Sequence, residues 1–387
     1  MTPTKLRKSA SRKPAAKSTG RSRSIPVKKT KAAAGPAPRG EGLALLRRLS
    51  EACGVSGDET AVRAVVLEAL KGKIKSHKVD ALGNLLVACR TRGKSRMRVM
   101  VAAHMDEVGL VLMQAGSDGL WKFETAGGVN ELALPGKPVW AGKDRVPGVI
   151  GVKPVHLTEK DEREHPIKKD SLNIDIGAKD KEGATAALKP GDRAAFATAF
   201  HSERGVLMGK ALDDRLGVAA LIELAVDPPP GVELVAAFTT QEEIGLRGAR
   251  VAAHALDPKL AIVLDATPAL DMPMWDGSEN TAYNTKLGGG PAVYVFDRGT
   301  ISDARLVRLL REVAEKRGIP YQVRQPGSGG TDAGAIHLAR AGIPSVSVSV
   351  PCRSLHGPVS TARVSDWRAL IALVRGALED LGRRGLP

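Results

Sequence analysis

Five short segments of this 387-residue chain carry side chains able to hold metal ions and move protons. In Ala103-His104-Met105-Asp106-Glu107-Val108-Gly109, extended backbone sends residues two apart to one face, so His104 and Asp106 can cooperate. The imidazole would bind a metal and the carboxylate would fix its tautomer from behind. Gly209-Lys210-Ala211-Leu212-Asp213-Asp214-Arg215 opens a helix, and its adjacent carboxylates would either cap that helix or bridge metals. In Thr239-Thr240-Gln241-Glu242-Glu243-Ile244-Gly245, neighbouring glutamates diverge. One can ligate while the other faces the open coordination position as general base; the bland alternative is an acidic loop. Asp265, in Val263-Leu264-Asp265-Ala266-Thr267, ends an apolar run where an unpaired carboxylate is costly. The fifth segment is Ser354-Leu355-His356-Gly357-Pro358. Of the 8 histidines, His77, His156, His165, His201, His254 and His337 read as surface or packing residues, which leaves His104 and His356 beside carboxylates. Singly each segment reads as structural. Jointly, two His, a bridging Asp, a terminal Asp and a Glu form a complete nitrogen and oxygen ligand set for two divalent ions, and context of this kind confirms a motif.

The elements around these segments follow an α/β rhythm. Leu43, Leu45, Leu46 and Leu49 give a helix over Gly42–Cys53, and Asp58 or Glu59 opens another through about Ala69 with Val62, Val65, Val66 and Leu70 on one face. Residues 84–90, 97–103, 232–239, 260–265 and 345–350 read as strands; 215–226, 303–317, 332–341 and 365–382 read as helices. Alternation of this kind implies a mixed or largely parallel sheet covered on both faces, with ligand sites at the carboxyl ends of its strands. Between about 110 and 198 the character changes to short alternating stretches broken by Gly, Pro and Asp, without helical periodicity. This predicts a small all-β insert over 111–198, with the α/β domain formed by 41–110 and 199–387.

The charge is uneven. Overall 58 basic residues face 42 acidic ones, a net of +16, but residues 1–40 hold 12 Lys and Arg and no Asp or Glu, which leaves a body of about +4. The first 40 residues cannot bury enough apolar surface to order themselves and read as a disordered basic tail. That tail is a solubilising extension, an arm for nucleic acid or other polyanions, or a mitochondrial presequence. A near-neutral body gives no support for a DNA-reading surface. Three sparse cysteines, Cys53, Cys89 and Cys352, suit a reducing compartment, and no apolar run reaches membrane-spanning length, so a cytoplasmic protein is expected.

The sequence resembles the TET-type dinuclear metalloaminopeptidases, also known as glutamyl aminopeptidases or cellulase-M-like proteins. The resemblance runs from about Glu41 to near the C-terminus. It is carried by Cys53-Gly54-Val55-Ser56-Gly57 with Glu59, Asp80–Asn84, the His104 and Asp106 pair, Gly191-Asp192, Lys210–Arg215 and Gln241–Gly245. Asp265 with Asp271, Leu287–Pro291, Gly329-Gly330-Thr331-Asp332-Ala333 and His356 complete it. It implies a zinc-peptidase-type catalytic domain with an inserted β-barrel-like dimerisation domain, and dimers that assemble into dodecamers. It also implies two Zn²⁺ or Co²⁺ ions sharing a water. Asp213 would bridge them, His104 and Asp265 would complete one site, and Glu243 and His356 the other. Asp106 would orient His104, Glu242 would be the general base, and Asp214 would follow an unusual peptide bond that helps aim Asp213. Gly330, Thr331 and Asp332 would help hold a peptide substrate. One departure is visible: around His356 the chain reads Arg353-Ser354-Leu355-His356-Gly357, where the family shows an aromatic after Arg and Ser after His. Other classes weighed are a related two-metal amidase or deacylase, a glycosidase, and a nucleic-acid-binding protein on a hydrolase scaffold. The Glu-Ile-Gly and Lys-Ala-Leu-Asp-Asp-Arg segments favour the aminopeptidase.

Overall fold

The computed structural model describes residues 40–386, apart from 96, 161–163, 279, 281–283 and 326–328. Apart from Gly40, the basic tail lies outside the described residues. Helices α1 (Gly40–Glu51) and α2 (Thr60–Leu70) bury the stripes read from sequence, Leu46 and Leu49 on one, Val62, Val66 and Leu70 on the other. The chain then enters β1 (Ser76–Val79), β2 (Leu85–Ala88) and β3 (Arg98–His104). It leaves for a closed barrel made by β4 (Gly109–Ala115), β5 (Trp121–Ala126), β6 (Pro138–Ala141), β7 (Val146–Gly151), β8 (Asn173–Asp175) and β9 (Arg193–Phe196), with α3 (Lys181–Ala187) before the last strand. It returns through β10 (His201–Glu203), β11 (Val206–Gly209), α4 (Leu212–Val226), β12 (Glu233–Thr239), α5 (Arg247–Leu256), β13 (Leu260–Pro268), β14 (Ala292–Val293) and α6 (Ala304–Arg317). The last elements are β15 (Gln322–Val323), α7 (Ala333–Ile336), β16 (Ser345–Cys352), β17 (Ser360–Arg363) and α8 (Val364–Arg384).

Eight strands form one mixed sheet in the order β1-β2-β12-β3-β13-β16-β14-β15. Its centre, β12-β3-β13-β16, is parallel, which points four carboxyl ends the same way. Alternate residues of these strands feed two cores. Val99, Val101, Leu234, Phe238, Ile262 and Leu264 pack with α1, α2, α4, α6 and α8. Met100, Ala102, Val235, Ala237 and Val263 pack with α5 and α7 on the opposite face. Both faces are therefore dry, which explains the unbroken apolar runs in sequence. The barrel has a core of its own, including Leu110, Leu112, Trp121, Phe123, Ile150, Ile174 and Phe196, and closure leaves it no open edge.

Two local expectations fail. The helix read over 332–341 ends at Ile336, because Arg340 and Gly342 take left-handed conformations and the chain turns back into β16. The insert contains a helix, α3, where no helical period was visible. It buries only Ala184 and starts on Asp180, whose side chain accepts from Gly183 N–H at 2.9 Å, so it carries no apolar stripe. No helix among the described residues is long and apolar enough to cross a membrane.

Candidate metal centre and active site

The carboxyl ends of the parallel strands gather the chemistry. His104 is the last residue of β3, Glu242 and Glu243 follow β12, Asp265 lies on β13, and His356 comes four residues after β16. Asp213 reaches the same place from the start of α4. His104 Nε2 stands 3.1 Å from Asp213 Oδ1 and 3.8 Å from Asp265 Oδ1. His356 Nε2 stands 3.6 Å from Asp213 Oδ2 and 3.4 Å from Glu243 Oε2. Ligand atoms of His104, Asp213 and Glu243 all lie within 4.8 Å of one another. The five side chains singled out as ligands thus converge, with one Asp213 oxygen toward each histidine.

The surrounding polar groups aim this cluster. Asp106 is fully buried and accepts three hydrogen bonds: from Ser56 Oγ at 2.6 Å, Glu242 N–H at 3.0 Å and Glu243 N–H at 3.2 Å. It also faces His104 Nδ1 at 3.4 Å, too poorly aligned for a full hydrogen bond. One carboxylate therefore ties both glutamates to the strand bearing His104. Glu59 supports the same loop, accepting from Gln241 N–H at 3.2 Å, while Gln241 itself takes a left-handed φ of 58°. On the other side, the His356 Nδ1–H group donates to the Gly128 carbonyl at 3.1 Å, which turns Nε2 inward. The two aspartates of α4 divide the roles weighed from sequence. Asp214 caps the helix by accepting from Gly217 N–H at 2.9 Å, Asp213 faces the histidines, and the peptide bond between them is cis.

Residues not singled out before also take part. Glu107 is buried between Lys210 Nζ, 2.7 and 2.8 Å away, and Arg215 Nη2 at 3.2 Å, and it accepts from Gly54 N–H at 2.9 Å. This explains the Lys and Arg that flank Asp213 in sequence: they anchor the segment to a buried carboxylate. Ser56 and Glu59 appear in sequence only within the opening motif of the resemblance, with no role attached, and Gly128 carries no signal. Of the loop expected to hold substrate, Gly330 is exposed. Thr331 and Asp332 are buried, the Thr331 hydroxyl bonded to Ser347 Oγ at 2.7 Å and the Asp332 carboxylate accepting from Thr239 Oγ1.

The electrostatics of the cluster suit cations. Among the described residues, the charged partners of Asp213, Glu243 and Asp265 are the two histidines. Burial and the Asp213 charge push the Glu243 carboxyl up to about 8, burial lifts Asp265 to about 6, and burial drives Glu242 well above the carboxylate range. Hydrogen bonding to Asp213 raises His356 to about 9. Four crowded acidic groups around two imidazoles form a site that divalent ions neutralise, and its oxygen and nitrogen donors fit Zn²⁺ or Co²⁺.

A model of the family described as M42 glutamyl aminopeptidase matches residues 83–373. The chain belongs to this family. The M42 chain is 36% identical over 335 residues to a putative aminopeptidase of Acetivibrio thermocellus, covering 86% of this chain and 97% of that one. Its fold matches the crystal structure of a TET aminopeptidase from a marine sediment archaeon of the Thaumarchaeota with a TM-score of 0.83 at 34% identity, covering 88% of this chain and 97% of that chain. It matches the TET peptidase of Pyrococcus horikoshii, which can assemble into a tetrahedron or a large octahedral shell, with a TM-score of 0.76 at 33% identity, covering 87% and 98%. The M42 chain is a metal-dependent aminopeptidase, a hydrolase of the exopeptidase class. The amidase reading and the nucleic-acid scaffold reading are not favoured.

Proposed function

We propose that this aminopeptidase removes N-terminal residues through a dinuclear centre in which Asp213 lies between two ions, His104 and Asp265 complete one site, and Glu243 and His356 complete the other. The observation that carries the reading is the convergence of these five side chains on one another at the carboxyl ends of β3, β12 and β13. Bound Zn²⁺ or Co²⁺ would supply Lewis acidity at the scissile carbonyl and bring the pKa of a water toward neutrality. Glu242, beside Glu243 and held by its N–H on Asp106, takes the proton of the attacking water at its carboxylate and returns it to the leaving amine. Asp106 positions Glu242, Glu243 and His104 for this. The acidic cluster also provides the counter-charge for a free substrate α-amine, which sets the exopeptidase register. Gly330, with Thr331 and Asp332 fixing its loop, faces the substrate chain.

The barrel and its flanks, residues 111–198, serve as a dimerisation insert on the body formed by 41–110 and 199–387. The shells formed by the Pyrococcus horikoshii peptidase support a homo-oligomer. Three unpaired cysteines support a reducing, cytoplasmic setting. The test is hydrolysis of a free-amine aminoacyl anilide against its N-acetyl form, after chelation and after restoring Zn²⁺ or Co²⁺. The free-amine substrate alone should be cleaved, with metal only, and Glu242→Gln should lose turnover while keeping metal. Cleavage of the acetylated substrate, or full turnover in Glu242→Gln, would refute it.

A further inference from the structure

The connection from β5 to β6 crosses the metal centre as a short strap, Gly127-Gly128-Val129-Asn130, and it touches two of the candidate ligands. The Gly128 carbonyl accepts from His356 Nδ1 at 3.1 Å, and Asn130 N–H donates to the His356 carbonyl at 2.9 Å. Gly127 lies against Glu243. A Cβ on Gly127 would stand 3.2 Å from Glu243 Cβ and 2.8 Å from Val108 Cγ1; one on Gly128 would stand 3.1 Å from His356 Nδ1. Apart from Val108, these contacts fall on the pair assigned above to one ion, and none of them falls on His104 or Asp265.

His356 needs outside support. Its own φ is 57°, as is that of Ser354, a left-handed conformation uncommon for residues with a side chain, and its ring is 40% exposed. A free imidazole places its proton on either nitrogen. A carbonyl accepts only from N–H, so in the neutral ring that a metal requires Gly128 selects the tautomer with the proton on Nδ1 and turns the Nε2 lone pair toward Asp213 and Glu243.

We propose that this strap is a positioning element of the reaction centre, supplied by the barrel. Its carbonyl sets the His356 tautomer, its Asn130 N–H holds the His356 backbone, and its glycines leave Glu243 and His356 the space they occupy. The proposal rests on the dinuclear reading above. It makes the barrel part of the catalytic apparatus independently of any role in association. Disturbing the strap weakens the ion held by Glu243 and His356 and spares the one held by His104 and Asp265.

The experiment is Co²⁺ titration of the metal-free full chain, read by chelator competition and by the cobalt d–d absorption of each equivalent. Gly128 does not sit in the left-handed region, so Gly128→Ala adds only a Cβ against His356. One of the two equivalents should bind about 10–100-fold more weakly, the usual loss for a disturbed outer-shell partner of a metal ligand, with the other within about twofold. Asn130→Pro is a second route. Asn130 has φ −73°, near the proline value, so the change removes its N–H while keeping the carbonyl that accepts from Ala133. It should weaken the same equivalent, by less. Leu132→Ala, in the same connection and 71% exposed, should bind both ions as the parent does. Two ions in the parent with both equivalents unchanged in both strap variants overturns the strap alone. Equal weakening of both equivalents, or weakening in Leu132→Ala, also overturns it by assigning the effect to barrel folding. A parent that binds fewer than two ions removes the dinuclear reading and the strap with it.

Discussion

Replacing Asp106 with Asn changes one atom in the group that holds the centre together. Asp106 Oδ2 accepts from Ser56 Oγ and Glu243 N–H, and Oδ1 accepts from Glu242 N–H while facing His104 Nδ1. The amide must put its NH₂ on one of these sides. Toward Oδ1 it meets Glu242 N–H and drives His104 to accept at Nδ1, which places a proton on the Nε2 that faces Asp213. Toward Oδ2 it meets Ser56, whose hydroxyl can rotate to accept, and orphans only Glu243 N–H. The second orientation costs less. One orphaned buried N–H costs about 1–3 kcal/mol. At about 2.1 cal/mol/K per residue over roughly 350 residues, that lowers Tm by about 1–4 °C. Because the freed N–H belongs to a ligand residue, kcat/KM should fall about 10–100-fold, with weaker metal retention. The assay is anilide hydrolysis at saturating Co²⁺, a chelator titration and a melt of the same preparation. Activity within about twofold of the parent and an unchanged Tm would refute the assignment of Asp106 as the organising carboxylate.

Lys210→Met leaves Glu107, 2% exposed, with Arg215 as its one charged partner, and a buried pair broken on one side costs about 3–5 kcal/mol. A urea midpoint equal to the parent's would contradict that. Asp271 gives a pH prediction. Burial pushes its carboxyl up, but the Arg353 guanidinium at 2.6 Å and the Leu287 N–H outweigh it, and the group ends below its ordinary 3.8. A carboxyl held lower in the folded state contributes stability in full above its unfolded pKa, and that stability is lost as pH falls through the folded value. The Tm gap between the parent and Asp271→Asn should therefore be fully open at neutral pH and close as pH falls below the ordinary 3.8. A gap independent of pH would contradict the pairing.

What could be read from sequence follows from where the free energy is local. The strands at 97–103, 232–239, 260–265 and 345–350 match β3, β12, β13 and β16 closely, because a parallel strand buried on both faces writes a continuous apolar run. β1, exposed along its whole length, and the two-residue β14 and β15 owe their existence to pairing partners distant in sequence, and no local pattern marks them. The site divides in the same way. His104, Asp213, Glu243, Asp265 and His356 were legible because imidazole and carboxylate groups at strand and helix ends are conspicuous. Asp106 was legible for the same reason, but the other supports were not. Ser56 sits in what reads as a turn, Glu59 looks like a helix cap yet its carboxylate bonds Gln241, and Gly128 acts through a carbonyl that every residue possesses. Asp213 and Asp214 were ambiguous between capping and ligation, and the structure uses one for each geometry.

The most direct measurement of the dinuclear centre is anomalous diffraction from crystals of the full chain loaded with Co²⁺ or Zn²⁺. Two peaks about 3.5–4 Å apart are predicted, a spacing usual for paired catalytic ions. One should contact His104 Nε2 and Asp265, the other Glu243 and His356 Nε2, with Asp213 touching both. A single peak at saturating metal, or a pair of peaks that Asp213 does not join, would contradict it.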